Sequence, residues 1–201
     1  MINIGDTIDK RYSVLEVLGV GGMAVVFECR DLISGKVVAL KIMKEELVSD
    51  KEAIRNFTNE VRSSVSMSHP NILEIYGEGN FESRPYIVIE YLKNQTLFEK
   101  IEYLGKYSVK EGCQIMTQLL DAIAYTHSHN IIHCDIKPQN IFYMPNGTIK
   151  LADFGIASKV NENKNNDKIF GSVHYLAPEI FQGKPYSISS DIYAAGSTFF
   201  H

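Results

Sequence analysis

The chain has 201 residues, of which 45% are hydrophobic and 22% charged, an ordinary globular composition long enough to bury a core in one or two domains. A formal net charge of −4 and a pI near 5.9 argue against a nucleic acid or an anionic membrane as the main partner, leaving room only for a local basic groove. Met1 to Tyr12 lacks the apolar stretch of a secretory signal, no apolar run reaches the roughly 18 residues of a spanning helix, and Cys29, Cys113 and Cys134 lack paired-ligand spacing, so a soluble, cytoplasmic chain with reduced thiols is expected.

From Tyr12 to Lys41 the text is β-branched and alternating, with glycines at Gly19, Gly21 and Gly22 and a turn at Ser34-Gly35, which predicts three antiparallel strands. A helix is expected from about Asp50 to Ser68, where Ile54, Phe57 and Val61 make one apolar face. His69-Pro70-Asn71 ends it. Strands over Ile72 to Gly77 and Pro85 to Tyr91 complete a small sheet, and Lys93-Asn94-Gln95 reads as a linker. Thr96 with Glu99, and Ser108 with Glu111, have capping-box spacing and mark two helix starts. In the second helix Met116, Leu119, Leu120, Ile123 and His127 are predicted to share a core-facing side. Lys159 to Lys168 is almost entirely charged or Asn and reads as a mobile surface loop. There are no internal repeats.

The densest chemistry lies in His133-Cys134-Asp135-Ile136-Lys137-Pro138-Gln139-Asn140, followed by Asp153-Phe154-Gly155. Either fragment alone reads equally well as a turn between strands, because turns are rich in Asp, Asn and Pro. Together they supply what phosphoryl transfer needs. A carboxylate can deprotonate a hydroxyl, a lysine can neutralise the moving phosphoryl group, and an amide with a second carboxylate can hold magnesium through oxygen. Gly19-Val20-Gly21-Gly22, between two predicted strands, is either a glycine-rich hairpin or a cradle where backbone amides approach a triphosphate. It is not a Walker P-loop, since no Gly-Lys-Ser/Thr closes it. Lys41 ends the apolar run Val38-Ala39-Leu40 and is either an edge lysine or a phosphate ligand. His127, His129 and His133 do not make a zinc site, because no Cys or carboxylate cluster completes them.

On these motifs the chain resembles the protein kinase superfamily, and within it the eukaryotic-like serine/threonine kinases of bacteria, from about Tyr12 to the last residue. The resemblance implies an α+β, bilobal fold: a small antiparallel sheet with one helix over residues 12–92, then a mainly helical lobe over 93–201. It implies ATP and magnesium as cofactors, with manganese as a substitute, and protein substrates with Ser or Thr acceptors. Asp135 takes the role of catalytic base, with Lys137 and Lys41 on phosphate, Asn140 and Asp153 on metal, and Glu60 orienting Lys41. Gly19, Gly21 and Gly22 would cover the phosphates. Val26, Ala39 and Phe142 would wall the adenine, Ile89 would be the gatekeeper, and Glu90 and Leu92 would meet the base through their backbone. Ser172 would bridge Asp135 and Lys137, residues 174–176 would dock the peptide, His133 would pack near Phe154, and Asp191 would bond catalytic-loop backbone.

Two departures from the family pattern stand out. Ala24 occupies the third glycine position, a minor change. Cys134 stands where most members carry arginine, and cysteine cannot clamp a loop phosphate as arginine does. Between Gly155 and Gly171 the only hydroxyl is Ser158, so activity independent of activation-loop phosphorylation is expected. Cys134 itself reads as a buried, inert thiol, with a redox-sensitive one as the alternative. Asp191 to Gly196 resembles the start of the helix that anchors the larger lobe. The chain ends soon after it, so an incomplete lobe is expected, with apolar surface from Ile192 to Phe200 open to self-association and Glu179 lacking its arginine partner. A nucleotide-binding fragment with impaired catalysis is the competing expectation.

Overall fold

Alternating side chains fold the N-terminal part into one antiparallel sheet in the computed structural model, which describes residues 2–64, 67–93, 95–154, 158–159 and 172–200, with side chains for all of these except 56, 59–64, 158 and 159. Two compact units form: Met1–Val65 with Glu74–Leu92, and Ser66–Leu73 with Lys93–His201. The sheet of the first unit comprises β1 (Thr7–Ile8), β2 (Tyr12–Val20), β3 (Ala24–Asp31), β4 (Val37–Met43), β5 (Ile75–Phe81) and β6 (Arg84–Glu90), in the order β1-β2-β3-β4-β6-β5. Period-two alternation divides its side chains between two faces. One face buries Phe27, Cys29, Leu40, Ile42, Tyr86 and Val88, together with Ile8 and Tyr12. The other buries Ala24, Met43 and Ile87 against Ala53 and Phe57 of α1 (Lys51–Ser64). Asp50 starts that helix, its Oδ1 accepting from Glu52 N and Ala53 N.

Local chemistry explains where this sheet departs from expectation. Strand β1 is added by a turn whose central residues, Asp9 and Lys10, have φ of 50° and 54°, a hairpin geometry usually marked by Gly or Asn. A second such turn, at Glu82 and Ser83, joins β5 to β6. The strand expected over Ile72 to Gly77 begins later, at Ile75, and runs to Phe81. Ile72 instead bridges Leu151 in the second unit, where Leu73 N donates to Leu151 O and Leu151 N to Asn71 O. Pro85 brings no N–H to the β4 side of its strand, and the buried Arg84 donates Nε to Met43 O at 2.8 Å.

In the second unit, Thr96 and Ser108 close full capping boxes on α2 (Leu97–Leu104) and α3 (Val109–Ser128). The face of α3 turned to the core carries Ile115, Leu119, Ala122, Ile123 and Thr126. Leu120, expected there, is 41% exposed; it lies one residue, about 100°, around the helix from Leu119. After α3 come β7 (Ile131–Ile132), β8 (Ile141–Tyr143), β9 (Ile149–Leu151), β10 (Ser158–Lys159), α4 (Pro178–Phe181) and α5 (Ile188–Phe200). β8 pairs with β9 and β7 with β10, both antiparallel. α5 buries Ser190, Asp191, Ala194, Ala195 and Thr198, while Ile192, Tyr193, Phe199 and Phe200 stay exposed. No described helix is long and apolar enough to cross a membrane. Asn94, Gly155, Gly171, residues 160–168 of the charged stretch, and the side chains of Glu60 and Val61 lie outside the described residues.

Candidate active site

Strand β7 is buried, and the chain leaves it through a loop whose polar side chains are nearly all enclosed: His133 is fully buried, Asp135 is 8% exposed and Asn140 is 7% exposed. Buried polar groups must find partners or cost free energy. Asp135 and Asn140 find partners within the loop itself. Lys137 Nζ lies 2.6 Å from Asp135 Oδ2 and donates to Ser172 Oγ at 3.1 Å. Asn140 Nδ2 donates to Asp135 O at 2.8 Å and to Asp135 Oδ2 at 3.1 Å. One carboxylate oxygen thus receives a cation and an amide, and a hydroxyl sits on the same cation. Such a charge-assisted cluster fixes the rotamer of Asp135.

The hairpin that follows brings Asp153 to this loop. A 3-10 turn at Pro138–Asn140 leads into β8, β9 returns, and Ala152 N donates to Asn140 O at 2.9 Å. Asp153 comes next, exposed, with φ 64°. Cys134 also has positive φ, 69°. Each such conformation costs a non-glycine residue about 1–3 kcal/mol and persists only where its surroundings hold it. Around Cys134 the holding groups are visible: Asp191 Oδ2 accepts from His133 N at 2.9 Å, and Asp191 Oδ1 from Cys134 N at 3.0 Å. The ring of His133 lies 4.5 Å, centroid to centroid, from that of Phe154, and its Nε2 meets Ala152 O at 3.1 Å. Cys134 is 8% exposed.

The donor set near Asp153 suits magnesium, which takes one or two protein oxygens and fills its shell with phosphate and water. Both amide-nitrogen contacts of Asn140 go to Asp135. That orients the amide and turns its oxygen to the opposite edge, the edge a hard cation would use. Among the described residues no group of three His, Cys, Asp or Glu forms a metal cluster. Next to this loop, Ser172 opens a 3-10 turn at Val173–Tyr175, with Val173 and His174 exposed and Tyr175 and Leu176 buried. Burial pushes the Tyr175 phenol up from its ordinary value, so it stays neutral.

The other sequence-predicted residues lie on the first unit. Gly19, Gly21 and Gly22 are exposed on the β2–β3 hairpin, closed by Gly21 N donating to Ala24 O at 2.9 Å. No neighbour lies within 4 Å of a Cβ built at Gly19 or Gly22, so open space, and no packing need, surrounds these two glycines. Lys41 pairs across the ladder with Val26, two residues on from Ala39. All three therefore share the sheet face that α1 covers. Lys41 is half-buried there. Glu60 falls within α1, its side chain outside the described set. Glu90 N donates to Glu74 O at 2.9 Å, Leu92 ends the unit, and Phe142 is half-buried on β8 of the second unit. Sequence reasoning missed one polar contact: His127, read as a core residue of α3, places Nε2 2.8 Å from Asp191 Oδ2. Its spacing from Asp191 carries no signal of this.

The family model for the protein kinase domain matches residues 12–201. The serine/threonine-protein kinase PrkC of Bacillus subtilis is 43% identical over 199 residues, covering 98% of this chain and 31% of that protein. A probable serine/threonine-protein kinase PknB of Lactococcus lactis is 40% identical over 203 residues, covering 100% of this chain and 32% of its own length. A probable PknB of Bifidobacterium longum is 38% identical over 199 residues, covering 92% and 29%. The chain thus spans about three-tenths of the length of these relatives. It belongs to the protein kinase domain family.

Proposed function

We propose that this chain transfers the γ-phosphoryl group of Mg-ATP to serine or threonine hydroxyls of proteins. The observation that carries the reading is the hydrogen-bonded cluster Asp135–Lys137–Asn140, with Ser172 on the same lysine. Asp135 accepts the proton of the acceptor hydroxyl, whose oxygen forms a bond to the γ-phosphorus. The bond from that phosphorus to the β–γ bridging oxygen breaks, and ADP leaves with the electron pair. Lys137, paired to Asp135 and at hydrogen-bond distance from Ser172, carries positive charge where the transferring group gains negative charge. Lys41, oriented by Glu60, binds the α- and β-phosphates; Gly19, Gly21 and Gly22 cover them; Val26, Ala39 and Phe142 flank the adenine; Glu90 and Leu92 bond it through backbone. Magnesium, held by Asn140 Oδ1 and Asp153, would neutralise the phosphate oxygens when bound.

The proposal includes activity that does not depend on activation-loop phosphorylation. Cys134 offers no cation to a loop phosphate, and Ser158 is the only hydroxyl between Gly155 and Gly171. We also propose that the domain works in the cytoplasm, a reading supported by the absence of a disulfide among Cys29, Cys113 and Cys134.

The test is transfer from labelled Mg-ATP to a generic basic protein and to the chain itself, with Asp135→Asn as control. Transfer that falls by about 10²- to 10⁴-fold in the control supports Asp135 as general base. Asp153→Ala is expected to weaken Mg-ATP binding far more than Asp135→Ala, and equal losses would overturn the division of roles. Retained Mg-ATP binding with no transfer would favour the competing reading of a nucleotide-binding module.

A further inference from the structure

The turn that begins at Ser172 is fastened at its front by a flexible side chain. Lys137 Nζ donates to Ser172 Oγ at 3.1 Å, and the same ammonium lies 2.6 Å from Asp135 Oδ2, so a drift of the turn is passed to Asp135. The turn's own bonds are few. Tyr175 N donates to Ser172 O at 2.9 Å and Leu176 N to Val173 O at 3.4 Å, the second with the poorer geometry common in 3-10 turns. Val173, 65% exposed, and His174 face solvent, while Tyr175 and Leu176 are buried.

The carbonyl between these two bonds, His174 O, is held from α5: Ser197 Oγ donates to it at 3.0 Å. A serine or threonine hydroxyl inside a helix commonly returns its proton to the preceding turn of the same helix, as Thr58 does to Ile54 O at 2.9 Å, Thr117 to Cys113 O at 2.9 Å and Thr126 to Ile123 O at 2.8 Å. Ser197 sends its proton out of the helix instead. It is half-buried at the edge of the face that buries Ala194 and Thr198, about 9 Å along the helix axis from Asp191, whose carboxylate accepts from His133 N and Cys134 N. One helix therefore fastens both the loop that carries Asp135 and the turn bonded to that loop through Lys137.

We propose that Ser197 is a positioning residue for the protein acceptor. Its hydroxyl holds the Ser172–Leu176 turn in register with the catalytic loop, so that a peptide lying on the turn brings its own hydroxyl to Asp135, while Ser197 touches no reacting atom. The residues assigned to the adenine and to the α- and β-phosphates lie on other elements, so the effect falls on the acceptor and not on ATP. The kinetic half of this inference rests on the kinase reading above; the tether itself does not.

The test compares Ser197→Ala, which deletes the donor, with Ser197→Thr, which keeps it. Alanine is the better helix former, so the first variant does not put folding at risk. It is expected to raise the KM for a generic basic protein about 3- to 10-fold with the KM for ATP within about twofold, while the Thr variant stays within about twofold of wild type in both. Amide hydrogen exchange over residues 173–177 should be faster in the Ala variant and return to the wild-type rate in the Thr variant. Exchange needs no phosphoryl transfer, so faster exchange in a chain whose wild type transfers nothing would sink the kinase reading and leave the tether standing. Wild-type KM and exchange in the Ala variant would overturn the proposal. So would equal changes in the two variants, or a KM for ATP that rises as far as the KM for the protein, which would mean general loosening of the site.

Discussion

Replacing Gly79 with alanine tests how tightly the first unit is tied to its N-terminal strand. A Cβ at this position would lie 2.2 Å from both Cζ and Oη of Tyr86 and 2.7 Å from Cε1. The cross-strand partner Tyr86 thus lies over bare backbone. The ring must retreat by at least about 1.2 Å, the shortfall between 2.2 Å and an ordinary 3.4 Å contact. It has little freedom to do so. Tyr86 is 3% exposed, its hydroxyl donates to Asp9 Oδ2 at 2.6 Å, and Tyr12 meets it edge-on at 5.9 Å. Overpacking costs about 1–3 kcal/mol, and losing a hydrogen bond to a charged group about 1.5–3 kcal/mol. Replacing glycine gives back about 0.5–1 kcal/mol of unfolded-state entropy. The net is a loss of about 1.5–5.5 kcal/mol, or roughly 3–22 °C in Tm at this chain length. The chain has 11 tyrosines and no tryptophan, so tyrosine fluorescence or near-UV circular dichroism follows the melt directly. In a Tyr86→Leu background the same change should cost almost nothing. A Gly79→Ala protein that melts with the wild type, or loses as much in the Tyr86→Leu background, would refute the argument.

Two further outcomes follow from charge and burial. Arg11 Nε and Nη2 each lie 2.8 Å from an Asp31 carboxylate oxygen, and Ser34 Oγ and Ile33 N add donors; led by the bond to Arg11, this holds the Asp31 carboxyl well below the usual carboxylate range. A group depressed on folding contributes its stability above the ordinary Asp value of about 3.9 and loses it as pH falls through that value toward the folded one. Asp31→Asn should therefore destabilise at pH 7 and flatten the acid limb below about pH 4, and a variant whose urea midpoint follows the wild type from pH 7 to 3 would disprove it. Burial pushes the Cys29 thiol up to about 12, whereas Cys113 is exposed. Brief maleimide treatment at pH 8 should therefore label Cys113 first, read by peptide mass spectrometry, and prompt labelling of Cys29 in folded protein would contradict its enclosure.

What the sequence announced and what it withheld separate along physical lines. The capping boxes at Thr96 and Ser108 were legible because the signal and the geometry are the same four residues. The clustering of Asp135, Lys137 and Asn140 was legible for a similar reason: the contacts of Lys137 and Asn140 with Asp135 close within five residues. Strand β1 was not, because its turn at Asp9-Lys10 lacks the glycine or asparagine that marks such a turn. Ile72 was assigned to the wrong strand because an apolar β-branched residue suits either neighbour. Its choice of Leu151 is made 79 residues away, and no local pattern reports a parallel bridge of that span. His127 belongs to the same class. Spacing on α3 correctly turned it inward, but inward includes both Leu119, which needs only apolar neighbours, and a ring nitrogen that needs a partner 64 residues further on. A histidine on an apolar helix face is therefore an open question that only the fold answers. Here the answer is the Asp191 carboxylate, which also accepts from His133 N and Cys134 N, so one buried acid ties α5 to both the end of α3 and the loop after β7.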